Sequence, residues 1–184
     1  LPQTCATDDF ERLHILGQGA HSTTRVVRRR RDGYVLCCKH IPAERYPAGQ
    51  PTAVLREVEI LMMLDGHPHV IGFVGAFLGE DGLSIVQEYA EGGTLQDMLD
   101  SHRTRDQPIL ESVVLDAFVQ LTSALSHLHQ FGIIHRDVKP SNVFFDRRNL
   151  VRLGDFGIAS FVRCAPTRHR SRRSRARTVC DRGP

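Results

Sequence analysis

The 184-residue sequence is poor in several things at once. It contains no tryptophan, and only two of its twenty-four basic residues are lysine, Lys39 and Lys139. A chain that uses arginine for almost every cation but keeps lysine at two points needs a compact ammonium there, which a planar guanidinium fork does not replace. The five cysteines (5, 37, 38, 164 and 180) are odd in number and show no Cys-x-x-Cys spacing. Cys37 and Cys38 are adjacent in an apparent strand, so their side chains point to opposite faces. This argues against a disulfide framework or a zinc site and for a reducing compartment, with cytoplasm or nucleus the expected location. No apolar run approaches a membrane span, Leu1–Leu13 lacks the hydrophobic core of a secretory signal, and no membrane partner is expected. The sequence opens on Leu rather than Met, so its natural start is expected to lie upstream.

At 41% hydrophobic, the chain can bury one core or two small lobes. Its net charge of +3 is unevenly spread. Residues 163–184 hold eight arginines and one acid, Asp181, which leaves the rest mildly acidic at −4. Phe10 to Ile41 reads as strands: Leu13–Leu16 runs into Gly17-Gln18-Gly19-Ala20-His21-Ser22, then Thr23–Arg28 and Tyr34–Ile41 flank an Asp32-Gly33 turn. Pro42–Gln50 is a loop. Pro51 opens a helix to about Leu64, striped by Val54, Val58, Leu61 and Met62 and ended by Gly66-His67-Pro68. Val70–Leu78 and Leu83–Tyr89 read as two further strands. Ala90–Gly93 is a linker, and Thr94 with Asp97 is a helix-start signature. A long helix covers roughly Ser112–Gln130 on Val114, Phe118, Leu121, Leu125 and Leu128, with Gly132 where a left-handed cap belongs. Short strands at Val143–Phe145 and Leu150–Leu153 flank a turn. The order is a β-rich half, a glycine-containing hinge and a helical half, without internal repeats.

Chemistry concentrates in His135-Arg136-Asp137-Val138-Lys139-Pro140-Ser141-Asn142 and in Asp155-Phe156-Gly157. Together they place two carboxylates, a lysine and an amide around two turns. That inventory suits Mg²⁺ and a nucleoside triphosphate held beside an incoming hydroxyl. As isolated residues Asp and Asn mostly mark turns; eight such positions in a row with Asp-Phe-Gly downstream do not read that way. Upstream, Gly17-x-Gly19-x-x-Ser22 is weak alone. A strand follows it rather than a helix, which disfavours a dinucleotide fingerprint, and no Walker lysine is present. Lys39 ends Val35-Leu36-Cys37-Cys38, and the period of two places Cys37 on its face. Glu57 and Glu59 lie about 200° apart round their helix, so only one of them can face Lys39. His127 and His129 cannot share a ligand face, and the pair His67 and His69 reads as helix-end surface rather than metal site.

These motifs resemble the catalytic and metal-binding loops of eukaryotic protein kinases. Lysine at 139 points to the serine/threonine type, and Ile85–Gly93, Asn142–Asp146 and Arg152–Ala159 are most similar to the NIMA-related kinases. The resemblance implies an α+β, two-lobed fold, with a small lobe at 10–89 and part of a large lobe at 90–162. It also implies phosphoryl transfer from ATP with Mg²⁺ to Ser or Thr of a protein substrate. In that register Asp137 orients the hydroxyl, Lys139 touches the transferring phosphate, and Asn142 and Asp155 hold metal. Lys39 pairs with Glu57 and contacts the phosphates, beneath a flap of Gly17, Gln18, Gly19, Ala20 and Ser22. Thr24, Cys37 and Phe144 enclose the adenine, Gln87 is the gatekeeper, and Glu88–Ala90 bind the base through backbone groups. Thr24 and Gln87 depart from the usual residues. Leu61, Phe73, His135 and Phe156 would stack as a spine between the lobes.

The resemblance stops near residue 162. Arg163–Pro184 has no Ala-Pro-Glu-type motif and reads as disordered basic sequence, expected to be a shifted frame or alternative exon on a truncated kinase. Nucleic-acid binding or a nuclear signal is the alternative for that run, disfavoured by its lack of interleaved aromatics. Ser171, Ser174 and Thr178 lie among its arginines. By resemblance, further helices would pack beneath the Ser112–Gln130 helix, and without them its stripe is expected to stay partly bare. The expectation is nucleotide binding with weak or no peptide phosphorylation; the alternative is a non-catalytic regulatory fragment.

Overall fold

The computed structural model describes residues 7–46 and 51–162. The expectations for the basic tail, for Ser171, Ser174 and Thr178, and for Cys5, Cys164 and Cys180 fall outside the described residues.

Strands β1 (Phe10–Gln18), β2 (Thr23–Arg29), β3 (Val35–Pro42), β4 (Phe73–Gly79) and β5 (Gly82–Glu88) form one antiparallel sheet ordered β1-β2-β3-β5-β4. Alternation along the strands splits their side chains between two cores. Ile41, Leu83 and Ile85 face helix α1 (Pro51–Leu64), while Val27, Leu36, Cys38 and Val86 form a smaller cluster with Phe10 on the other face. Gly33, at φ 75°, makes the β2–β3 turn that the Asp32-Gly33 pair predicts.

Helix α1 has the predicted bounds but is rotated from the predicted stripe. Val54, Glu57, Ile60, Leu61 and Leu64 are buried, whereas Met62 is 49% exposed. Val54 and Leu61 fit either stripe; the position of Glu57, drawn inward by Lys39, fixes the rotation. The apolar run from Val70 is also not all strand. Val70 is buried as a parallel bridge to Leu153, Ile71 donates its N–H to the Leu153 carbonyl at 2.9 Å, and β4 begins only at Phe73.

Behind the sheet, the chain crosses through Tyr89–Gly93 to α2 (Leu95–Thr104) and α3 (Glu111–Gln130). A Cβ at Gly92 would stand 2.8 Å from the Phe145 carbonyl oxygen, so glycine is what allows the crossing to lie against β7 (Val143–Phe145). Thr94 caps α2 by a full capping box: its hydroxyl accepts from the Asp97 N–H at 3.0 Å and Asp97 accepts from the Thr94 N–H at 2.8 Å. Helix α3 meets the core through Ala117, Leu121, Ala124, Leu125 and Leu128. Val114 and Phe118, expected on its stripe, are 52% and 65% exposed, with Val113, Leu115 and Val119 also exposed beside them. Gly132, at φ 66°, then turns the chain into β6 (Ile133–Ile134). β7 pairs with β8 (Val151–Leu153), and β6 pairs with β9 (Ser160–Phe161), a two-residue ladder too short to show a period in sequence. One buried cluster runs from Ile60, Leu61 and Leu64 through Phe156 to Ala124, Leu128 and Leu153, joining both halves.

Candidate active site

A cleft of about 560 Å³ lies between the sheet and the helical half. Of the residues predicted for it, Gly17, Ser22, Thr24, Cys37, Lys39, Glu57, Gln87, Glu88, Ala90, Asn142, Phe144 and Asp155 line it. Gln18, Gly19 and Ala20 do not: the Gly19 N–H closes a turn on the Ser22 carbonyl at 2.8 Å, leaving these three exposed at the loop tip. Tyr89, inside the predicted Glu88–Ala90 stretch, also lines it, as do Leu16, Ile71, Thr94 and Asp97, which are not predicted for the site. Leu16 directly precedes the glycine loop, and the Thr94–Asp97 cap was legible in sequence as a helix start but gave no sign of facing a cleft. Ile71 was hidden in an apolar run that reads as strand interior.

Lys39 is the point where three separate segments meet. Its Nζ donates to Glu57 Oε1 at 2.7 Å and Oε2 at 3.0 Å, and to Asp155 Oδ1 at 2.9 Å. Burial disfavours the ammonium, but the two carboxylates outweigh it and raise the Lys39 pKa. Glu57, 4% exposed, is pushed above the usual carboxylate range by burial, which Lys39 only partly offsets. Asp155 moves the other way: burial would raise it, yet Lys39 and the Gly157 N–H hold it below its ordinary value. Cys37 shares this wall, its thiol pushed up to about 12 by burial and by Cys38 against the pull of Lys39, so it is neutral near pH 7. Asp155 sits at φ 59° and Arg136 at φ 67°, left-handed positions that aim the neighbouring side chains across the turns.

Asp137 and Lys139 lie outside the cleft lining but are tied to it through Asn142. The Asn142 Nδ2 donates to the Asp137 carbonyl and to Oδ2, each at 2.9 Å, and Lys139 Nζ donates to the same Oδ2 at 2.7 Å. The Lys139 hydrogen bond holds the Asp137 carboxyl below its usual range. A short 3₁₀ turn over Pro140–Asn142 sets this geometry, leaving Asn142 only 5% exposed. His135 anchors the loop from beneath: its Nε2–H donates to the Gly154 carbonyl at 3.0 Å while Nδ1 accepts from the Asp137 N–H at 3.3 Å. Both ring nitrogens are thus satisfied by a neutral imidazole, in line with a pKa lowered by burial. The ring lies 4.9 Å from that of Phe156; Phe156 and Leu61 are buried in the same core, with Phe73 packed against it.

The donor set fits a magnesium nucleotide. With Nδ2 committed to Asp137, Asn142 has its hard amide oxygen left for a cation, alongside the ionised Asp155. Mg²⁺ takes one or two carboxylates together with substrate phosphates, and no cluster of three or more His, Cys, Asp or Glu able to hold a metal occurs among the described residues.

An antiparallel sheet over a helical half, with Lys39, Glu57, Asn142 and Asp155 lining the intervening cleft, matches the layout of a protein kinase domain. The family profile described as protein kinase domain matches residues 10–178, and the chain belongs to that family. It is similar to the serine/threonine-protein kinase Nek8 of Danio rerio, 35% identical over 84% of this chain and 22% of that protein. Serine/threonine-protein kinase nekl-2 of Caenorhabditis elegans is 34% identical over 83% of this chain and 44% of its own length. For serine/threonine-protein kinase Nek2 of Mus musculus the figures are 35%, 84% and 36%. The chain therefore spans less than half the length of these curated relatives. No helix among the described residues is long and apolar enough to cross a membrane.

Proposed function

We propose that the chain binds Mg-ATP and transfers its γ-phosphoryl group to a serine or threonine hydroxyl of a protein substrate. The observation that carries this reading is Lys39, whose ammonium joins Glu57 of α1 to Asp155 within the cleft. Such a bridge fixes a cation where phosphates would lie and brings helix, sheet and Asp-Phe-Gly turn into one arrangement. Asn142 and Asp155 would hold Mg²⁺, which supplies charge neutralisation on the phosphates. Asp137 keeps Oδ2 occupied by Lys139 and Asn142, leaving Oδ1 to accept the hydrogen bond of an incoming hydroxyl. Because its pKa is low, Asp137 orients that hydroxyl as an ionised acceptor and takes the proton late, as bond formation acidifies it. Lys139 stands within 2.7 Å of that carboxylate and meets the same reacting oxygens with a positive charge. We assign 10–89 and 90–162 as the two lobes, and an intracellular reducing compartment, cytoplasm or nucleus, is consistent with the free thiols of Cys37 and Cys38.

The bare face of α3 favours a second reading, in which nucleotide binds but peptide is phosphorylated poorly. Phe118 and Val119 are each 65% exposed on α3, which packs against β6 and β8 in the helical half. Two assays separate the readings. Mg-ATP should raise the melting temperature of the parent chain and not of Lys39→Ala; absence of any shift in the parent refutes both. A phosphorylated protein or peptide product, lost in Asp137→Asn, supports transfer; binding without product supports the second reading.

A further inference from the structure

The sheet carries a second pocket, on the face turned away from α1. Phe10, Val27 and Cys38 of the smaller apolar cluster line it, with Phe77 stacked on Phe10 at a centroid separation of 6.3 Å. It encloses about 100 Å³. Part of its polar lining is already committed. Ser84 Oγ and His40 Nδ1 share a hydrogen bond of 3.1 Å, and His40 Nε2 lies 3.7 Å from Asp81 Oδ2. Arg12 of β1 and Arg25 of β2 also line the pocket, and neither guanidinium has a hydrogen bond or ion pair among the described residues. Strand register brings them together, with Arg25 opposite Cys38 and Arg12 opposite Val27. Burial pushes the Cys38 thiol up, while Ser84, Arg25 and Arg12 pull against it, so both positive charges are felt at one point of the pocket.

We propose that this pocket docks an acidic segment of a partner protein, one carboxylate of which is held by the guanidiniums of Arg12 and Arg25. Two planar donor forks suit a carboxylate, which accepts from each of them in parallel. Asp81, from the β4–β5 turn, puts a negative charge into the same pocket, which favours a single incoming charge over the double charge of a phosphate. The volume speaks for a side chain rather than a free acid. Small-molecule sites enclose roughly 300–1,000 Å³, whereas this one admits little more than a head group and leaves the rest of the ligand on the open sheet. The chain's own remaining segments lack the matching charge. Residues 1–6 and 47–50 hold no acid, and residues 163–184 hold one against eight arginines. The complement therefore comes from another protein.

The test titrates the full 184-residue chain into a short fluorescein-labelled peptide of alternating Glu and Ala, and into versions with Gln or phosphoserine for Glu, reading polarisation at physiological salt. The Glu peptide should bind about tenfold more tightly than the Gln peptide, the effect of a charge-assisted contact, and more tightly than the phosphoserine peptide. With Arg12→Gln and Arg25→Gln combined, the Glu and Gln peptides should bind within about twofold of each other at an unchanged melting temperature. Arg25→Lys keeps the charge but loses the fork; it should weaken the Glu peptide about threefold and stands in if the double variant does not fold. Equal binding of the Glu and Gln peptides by the parent overturns the proposal. So does a preference that survives the double substitution, which would place the binding on the arginines of residues 163–184. Tighter binding of the phosphoserine peptide, displacement by free glutarate at matching affinity, or a parent dimer that dissociates in the double variant would each overturn it. Those outcomes assign the pocket to a phosphorylated ligand, a small acid or a second copy of this chain, respectively.

Discussion

Lys39 and Lys139 each hold a carboxylate at 2.7 Å, and the two ion pairs are alike in nothing else. Lys39 and Glu57 are 16% and 4% exposed, and the pair joins residues 18 apart in sequence, with a third contact to Asp155, 116 residues away. Lys139 and Asp137 are 50% and 30% exposed and separated by a single residue. In the first pair the low local dielectric and the desolvated glutamate make each partner depend on the other. In the second, solvent screens the attraction and the backbone of one short loop already sets the geometry. Equal distances thus divide into a contact that holds three elements in register and a contact that shapes one reacting carboxylate. The chain retains lysine for both, and removing each should fail differently.

The largest effect is expected at the exposed pair, and only in chemistry. Asp137→Asn removes the ionised acceptor for the hydroxyl and should lower phosphoryl transfer about 10³-fold. The melting temperature and its rise with Mg-ATP should stay near the parent's, because the amide keeps the Lys139 and Asn142 neighbours in place. Lys139→Met should likewise leave melting nearly unchanged. If either variant melted far below the parent, the contrast between the two pairs would collapse.

At the buried pair the order reverses, and stability is lost first. Lys39→Met strands Glu57 in the core and should destabilise the chain by about 3 kcal/mol near pH 8. Glu57 already has its pKa raised by burial, and losing Lys39 raises it further. A carboxyl whose folded pKa exceeds the unfolded one binds more protons when folded, so the variant's stability falls as pH rises through that interval. Urea unfolding should therefore show the deficit shrinking from pH 8 to pH 5. A deficit that is the same at both values would mean Glu57 is solvated in the variant.

Much of this arrangement is legible in the chain as written. The lysines, Asp137, Asn142 and Asp155 are fixed by motif spacing, and α1, the α2 cap and Gly132 by local backbone chemistry that needs no partner. What a single sequence does not carry is which face wins when two are apolar. Met62 and Leu64 compete for burial on α1, and the choice falls with Glu57, whose partner lies on β3. Val114 and Phe118 continue the periodic stripe of α3 past the point where the core ends; that the stripe stays partly bare is expected, but not which of its residues are exposed. Ile71 reads as strand because it is apolar beside a strand, although its backbone bonds Leu153 and its side chain lines the cleft. The Gly17–Ser22 loop errs the other way. A sequence motif counts every residue in it, but the turn presents only its ends, Gly17 and Ser22, to the cleft.

A smaller, pH-driven effect extends the comparison from carboxylates to imidazoles. His67 stacks on His127 with centroids 4.5 Å apart and lies edge-on to His69 at 5.8 Å. Burial and these two rings lower its pKa; burial also lowers that of His135, whose two nitrogens already have partners. The unfolded chain takes up these protons near the ordinary histidine value of 6.5, the folded chain only at lower pH. Between those points the unfolded state holds more protons, so stability rises with pH: it is fully present above about 6.5 and declines as pH falls below. The urea midpoint should be lower at pH 5.5 than at pH 7.5, and His67→Asn should flatten part of that slope. A midpoint independent of pH across this range would show the histidines to be no more buried than in the unfolded chain.

The smallest effect belongs to a carboxylate with no ion pair among the described residues. Asp97 is held below its usual pKa by the side-chain and backbone hydrogen bonds of Thr94. Both groups lie three residues apart at the start of α2, so the contact is as local as that of Lys139 but without an opposite charge. Thr94→Ala removes the acceptor for the Asp97 N–H and should cost about 1 kcal/mol in urea unfolding. Since Thr94 and Asp97 also line the cleft, Mg-ATP affinity is the discriminating measurement. If the cap acts only on α2, the affinity of Thr94→Ala matches the parent once both are fully folded. A drop of tenfold or more would mean that the helix start positions the crossing from Tyr89 to Gly93, and that a local hydrogen bond here does the long-range work found at Lys39.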